Sequence, residues 1–204
     1  MKKIFVTGIG TEVGKTVVSA ILVEALQADY WKPVQAGNLD NSDTEQVRRW
    51  ITNPESRLHP ESYRLRTPIS PHAAAKKENQ YIDLEKIQPP RTNNHLIIEG
   101  AGGVLVPLNQ QHCIIDLIKK LNTPVVIVSK HYLGSINHTL LTIKALEQYK
   151  IEILGLIFNG EENRDTESFI SSYTGLSVIG RVYRENFIDP TVIQTYAQQF
   201  KKLL

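Results

Sequence analysis

One cysteine, Cys113, is all the thiol chemistry in these 204 residues. That excludes an intrachain disulfide and any cysteine cluster around a metal, and it fits a reducing compartment, so the expected location is cytoplasmic. Placed just before Ile114-Ile115, Cys113 reads as a small buried residue. An excess of one charge sign is missing too. The formal net charge is +2, too small to argue for a nucleic acid or an anionic membrane as partner. No apolar run approaches the length of a membrane span. Met1-Lys2-Lys3 starts positively, but Ile4-Phe5-Val6 is far too short for a signal-peptide core. Internal repeats and low-complexity tracts are absent.

What remains is the make-up of an ordinary globular chain, 41% apolar and 22% charged. The length suits a single domain over 1–204. Short β-branched runs alternate with amphipathic stretches. Ile4 to Thr7, Leu96 to Ile98, Val125 to Val128, Ile153 to Phe158 and Ser177 to Gly180 read as strands. Lys15 to Leu26, Ile114 to Leu121, Ser135 to Tyr149, Thr166 to Tyr173 and Thr191 to Leu204 read as helices. Strands without polar alternation are buried on both faces, and their alternation with helices implies right-handed crossovers. The expected fold is α/β, a P-loop NTPase-type parallel sheet with helices on both faces and ligands at the carboxyl ends of the strands. The polar stretch 38–93 has no strong strand. It reads as an elaboration over the sheet edge, with short helices over Asp43 to Ile51 and His72 to Lys77.

Gly8-Ile-Gly-Thr-Glu-Val-Gly-Lys-Thr16 follows the first strand and opens the first helix. In that context the loop cradles phosphate with backbone N–H groups. Gly14 allows close approach, Lys15 neutralises β- and γ-phosphate charge, and Thr16 is placed to ligate Mg2+. Ile9 stands where the common pattern has its first glycine, so the loop is a variant. Glu99 is expected to end the second strand, where a carboxylate can complete a magnesium shell. Gly100-Ala-Gly-Gly103 behind it permits close backbone approach to a ligand.

Beside that loop and Glu99-Gly-Ala-Gly-Gly103 stand Lys32-Pro-Val-Gln-Ala-Gly37, Asn41-Ser-Asp43, Ser70-Pro-His72 and Leu133-Gly-Ser-Ile-Asn-His138. Together, over nearly the whole chain, they resemble the dethiobiotin synthetase family. The resemblance implies ATP- and Mg2+-dependent conversion of 7,8-diaminopelargonic acid and CO2 to dethiobiotin, through a carbamate and a mixed carbamic–phosphoric anhydride. It implies Lys32 and Lys15 as catalytic lysines. It places Glu12, Val13, Gly14, Lys15, Thr16, Val17, Asp43, Glu99, Gly100, Ala101, Gly102 and Asn159 on the nucleotide, and Thr16, Asp43 and Glu99 on the metal. Thr11, Lys32, Ala36, Ser135, Ile136 and Asn137 fall to the substrate, the last three from the second subunit of a homodimer with composite sites. Neither nucleic acid nor membrane is an implied partner.

Two positions depart from the family pattern. Ala36 stands where members often carry Ser or Thr, so Gln35 or a backbone N–H is left to serve. Gly180-Arg-Val-Tyr-Arg184 replaces a Pro-containing segment near the base, and ATP is the default nucleotide. Taken alone, Asp43 could equally cap the helix that follows it. A different class, a P-loop switch ATPase of the partitioning type, shares the variant loop and fold. It normally carries an additional lysine near the start of the loop, where this chain has Ile9 or Gly10. A ligase acting on a large corrin usually needs an additional glutaminase domain.

Overall fold

The computed structural model describes residues 1–202. Seven strands form one parallel sheet: β1 (Lys3–Gly8), β2 (Asp29–Trp31), β4 (Leu58–His59), β6 (Leu96–Gly103), β7 (Val125–Lys130), β8 (Ile153–Asn159) and β9 (Val178–Val182). Their order is β4-β2-β6-β1-β7-β8-β9. A second, two-stranded sheet pairs β3 (Val34–Ala36) with β5 (Tyr63–Leu65). The central strands are buried because nearly every side chain from Ile4 to Val6, Leu96 to Ile98 and Val125 to Val128 is apolar and covered on both faces.

From β1 the chain crosses one way through α1 (Lys15–Leu26) to β2, and from β6 it crosses the other way through α4 (Ile114–Leu121) to β7. Right-handed crossovers therefore put α1 and α4 on opposite faces. α5 (Ser135–Gln148) and α6 (Arg164–Thr174) pack together, and α7 (Pro190–Phe200) returns to pack on α1. The order reverses beside β1, so the crevice at its carboxyl end is the position such sheets offer to ligands.

Several sequence expectations need correction. β6 does not stop at Glu99 but runs to Gly103, because Gly103 pairs with Gly8 across an irregularity in the ladder. The polar stretch holds two strands, β4 and β5, too short for a periodic pattern to reveal; β4 forms the edge of the main sheet. Its helices are α2 (Asp43–Trp50) and α3 (Pro71–Lys77). Cys113 is half-buried, not core, and begins α4 as its N-cap. The last helix ends at Phe200, and the reading that carried it to Leu204 falls partly outside the described residues. Among the described residues, no helix is long and apolar enough to cross a membrane.

Candidate active site

The loop between β1 and α1 is shaped for an anion. Glu12 and Gly14 adopt left-handed backbone, at φ 57° and 93°, on either side of Val13. Alternation of this kind turns successive N–H groups into a concave nest. The start of α1 has neither a side-chain cap nor an acidic residue in its first turn, so its N–H groups remain available to phosphate. Val13 is buried and anchors the loop from beneath, while Glu12 and Thr11 are exposed.

Lys15 is more deeply placed than a surface phosphate-binding lysine would be, at 7% exposure, and its ammonium donates to Gly10 O across 2.9 Å. Burial, and then the charge of Lys32, pull its pKa down to about 8, against the opposite pull of Glu99 and Asp43.

Four side chains converge beyond the loop. Lys32 follows β2 directly, and register places it alongside Glu99 of β6. Its ammonium donates to Glu99 Oε1 at 3.0 Å and makes a close ion pair with Asp43. The Thr16 hydroxyl donates to the same Glu99 Oε1 at 2.9 Å, and the Tyr30 hydroxyl to Glu99 Oε2 at 2.9 Å. Burial works against the Lys32 charge, but Glu99 and then Asp43 outweigh it and hold the ammonium above the usual lysine range. Burial and the same two carboxylates push the Tyr30 phenol well above its usual value, so it keeps its proton and donates.

Asp43 is free for this work because Ser42 caps α2, its side chain accepting from Glu45 N–H. Gln35 does not reach out as a substitute for the hydroxyl missing at Ala36. Its Oε1 accepts from Asp43 N–H at 3.3 Å and its Nε2 donates to Gly37 O at 3.0 Å, so it braces the Asp43 turn. Ala36 itself is half-buried on the cleft wall.

A cleft of about 680 Å3 joins these groups. Of the residues singled out in the sequence, Thr11, Glu12, Gly14, Lys15, Thr16, Val17, Lys32, Ala36, Asp43, Glu99, Ala101 and Gly102 line it. Gly100 does not, since it packs against the Phe5 ring inside the sheet. Asn159 ends β8 beside the loop, and its amide donates to Val13 O at 2.8 Å. Ser135, Ile136 and Asn137 lie at the start of α5, outside this cleft. Ser135 is buried and its N–H donates to Tyr132 O, while Asn137 is exposed. The sequence reading missed Tyr30, and also Trp50, Ile69 and Val106 on the apolar part of the wall. An aromatic in a strand carries no signal beyond core packing.

Comparison with known proteins agrees with this geometry. The family model described as AAA domain matches residues 2–191. The ATP-dependent dethiobiotin synthetase of Christiangramia forsetii is 50% identical over 203 residues, covering 100% of this chain and 98% of the relative. The corresponding protein of Cytophaga hutchinsonii is 51% identical over 198 residues, covering 97% and 96%. Among solved structures, the MinC:MinD cell division protein complex of Aquifex aeolicus aligns with a TM-score of 0.62 over 99% of this chain and 96% of the other. A ParA family ATPase of Chlorobium tepidum aligns at 0.58, over 100% and 90%. At 15% and 14% identity these two show the fold alone. The near-full-length identity to the synthetases carries the assignment: the chain belongs to the dethiobiotin synthetase family.

Proposed function

We propose that this cyclo-ligase of biotin biosynthesis joins 7,8-diaminopelargonic acid and CO2 at the expense of ATP, with Mg2+, giving dethiobiotin, ADP and phosphate. The observation that carries the reading is the position of Lys32, buried between the carboxylates of Asp43 and Glu99 at the mouth of a phosphate loop.

In this reading one substrate amine adds to CO2 and loses a proton, forming a carbamate. A carbamate oxygen attacks the γ-phosphorus and ADP leaves. The second amine then attacks the carbamoyl carbon of the mixed anhydride, phosphate departs, and the ureido ring closes. Carbamate and triphosphate are both anions, so the reaction needs cations between them. Lys15 serves the phosphates from the loop, and Lys32 serves the carbamate and the transferring phosphoryl group from β2. In the same reading Thr11 serves the amines and Asn159 reads the base. Thr16, Asp43 and Glu99 are hard oxygen donors gathered around a spot that already attracts an ammonium, which suits Mg2+. When bound, the ion would neutralise phosphate charge and orient the triphosphate.

The substrate carboxylate lies at the far end of an aliphatic chain. Ser135, Ile136 and Asn137 are the residues expected there, and they do not line the cleft of their own chain. A two-fold homodimer that brings this helix start from a second subunit supplies the missing end of the site. Exposed Leu133 and Tyr132 beside it fit a buried contact. One domain over 1–204 houses the catalytic half. The partitioning-type switch is not favoured, because Ile9, which is buried, and Gly10 hold the loop positions where a lysine would be needed.

Purified protein given diaminopelargonate, bicarbonate and Mg·ATP should form dethiobiotin with stoichiometric phosphate. Lys32→Ala should lose single-turnover phosphate release while keeping ADP affinity within a few-fold. Hydrolysis of ATP without a ureido product would overturn the assignment, and equal losses of affinity and turnover would move Lys32 onto the nucleotide.

A further inference from the structure

Tyr30 is fully buried in β2, and its hydroxyl has one purpose visible in the structure, the bond to Glu99 Oε2. Tyr30 pairs in register with Ile97 and Trp31 with Ile98, so Lys32 comes alongside Glu99. Residues two apart on a strand share a face, and Tyr30 and Lys32 therefore approach the Glu99 carboxylate from the same neighbouring strand. The two oxygens of Glu99 are divided between them. Oε1 takes the Thr16 hydroxyl and the Lys32 ammonium on the cleft side, while Oε2 takes Tyr30. Glu99 lines the cleft and Tyr30 does not, so the phenol touches neither nucleotide nor substrate.

We propose that Tyr30 is a positioning residue of the metal site: by holding Glu99 through Oε2, it presents Oε1 in one fixed orientation to the cation that Asp43 and Thr16 would help to hold. This rests on the reading of the cleft as a Mg·nucleotide site. A phenylalanine would fill the same volume, so packing alone does not call for the oxygen. Without the donor, a buried carboxylate oxygen would be left unsatisfied. The carboxylate would then turn to recover a partner, and the geometry offered to a metal would be lost. Outer partners that orient metal-binding groups typically contribute about 10–100-fold in metal affinity.

Tyr30→Phe removes the hydroxyl and leaves the ring. Mn2+, followed by electron paramagnetic resonance, is titrated into the full-length protein saturated with ADP, and ADP affinity is measured separately in chelator. The expected result is about 10-fold weaker Mn2+ binding in the variant with unchanged metal-free ADP affinity. Equal Mn2+ affinity in variant and wild type overturns the role of Tyr30 while leaving the metal site standing. A parallel loss of ADP affinity overturns it as well, since it shows general damage to the loop and sheet. Failure of the wild type itself to bind Mn2+ with ADP removes the metal site, and the inference falls with the reading on which it rests.

Discussion

Thr16 and Glu99 lie 83 residues apart in sequence, and the hydroxyl of one donates to Oε1 of the other across 2.9 Å. The bond ties the first turn of α1 to β6, and it joins two of the groups proposed to hold Mg2+. Glu99 is almost fully buried, whereas the Asp43 side chain is 24% exposed. Charge removal at the two should therefore differ. Glu99→Gln has to turn an amide N–H toward Thr16 or toward Tyr30, two groups that now donate, and it also removes one of the two negative charges that hold Lys32. Asp43→Asn is relieved by water. Both should raise the Mg2+ concentration needed for half-maximal phosphate release, Glu99→Gln by the larger factor, on the order of 10-fold or more. Unchanged magnesium titrations in both variants would take these carboxylates off the metal.

Lys15 carries a stability cost that its function explains. With a folded pKa of about 8 against 10.5 for a free lysine, the native state holds fewer protons than the unfolded chain between those pH values. Stability of the nucleotide-free protein therefore rises with pH through that window, and the full penalty is present below pH 8. A depression of this size is worth roughly 3 kcal/mol. Lys15→Met should melt higher than wild type at pH 7, and the gap should close toward pH 10. The same variant should lose about 10²–10³ in turnover. A variant that melts lower at pH 7 would contradict the buried-charge account.

Two glycines of the loop should respond oppositely to a methyl group. At Gly14, with φ 93°, a Cβ would come within 2.2 Å of Asn159 Nδ2, while at Gly10 no atom lies within 4 Å of the added carbon. Gly14→Ala is expected to displace the Asn159 amide from Val13 and abolish measurable ADP binding. Gly10→Ala should bind ADP within a few-fold of wild type. Calorimetric titration of both variants decides the matter, and tolerance at Gly14 would show that the loop can refold around an L side chain.

Much of this could be read from the residues alone. The bounds of α1 and α4 were legible because apolar residues at helical spacing begin and end sharply there. The phosphate loop was legible because a strand, Gly14-Lys15-Thr16 and a helix coincide. The continuation of β6 through Gly100 to Gly103 was not, since glycines carry no strand signal and the pairing with Gly8 depends on where the loop folds. Strands of two or three residues such as β4 leave no periodicity to detect. The burial of Lys32 was hidden for another reason: it is set by Asp43 and Glu99, which are distant in sequence, and a lysine before a proline otherwise reads as surface.

The composite-site proposal has a test in mixed dimers. Asn137→Ala and Lys15→Ala should each be nearly inactive, because one lacks the carboxylate contact and the other the phosphate lysine. After subunit exchange in equal amounts, half of the dimers are mixed and each of these holds one intact site, so roughly a quarter of wild-type activity should return. Absence of recovery, with exchange verified by differential tagging, would mean that Asn137 acts within its own chain or not at all.

The gathering of Lys15 and Lys32 near Asp43 and Glu99 also bears on how the nucleotide arrives. Two positive and two negative side chains cancel in the cleft, and at the loop the exposed Glu12 is offset by Lys130, whose ammonium donates to Glu12 O. Little positive field therefore extends into solvent to draw in a polyanion, and long-range steering contributes little to the encounter. Arrival is left to ordinary diffusion and should be nearly indifferent to added salt beyond a Debye length of about 10 Å at 0.1 M. Attraction begins at contact, when Lys32 exchanges its carboxylates, and Lys15 the Gly10 carbonyl, for phosphate. Ionic strength should then act on how long the nucleotide stays, leaving the frequency of its visits almost unchanged.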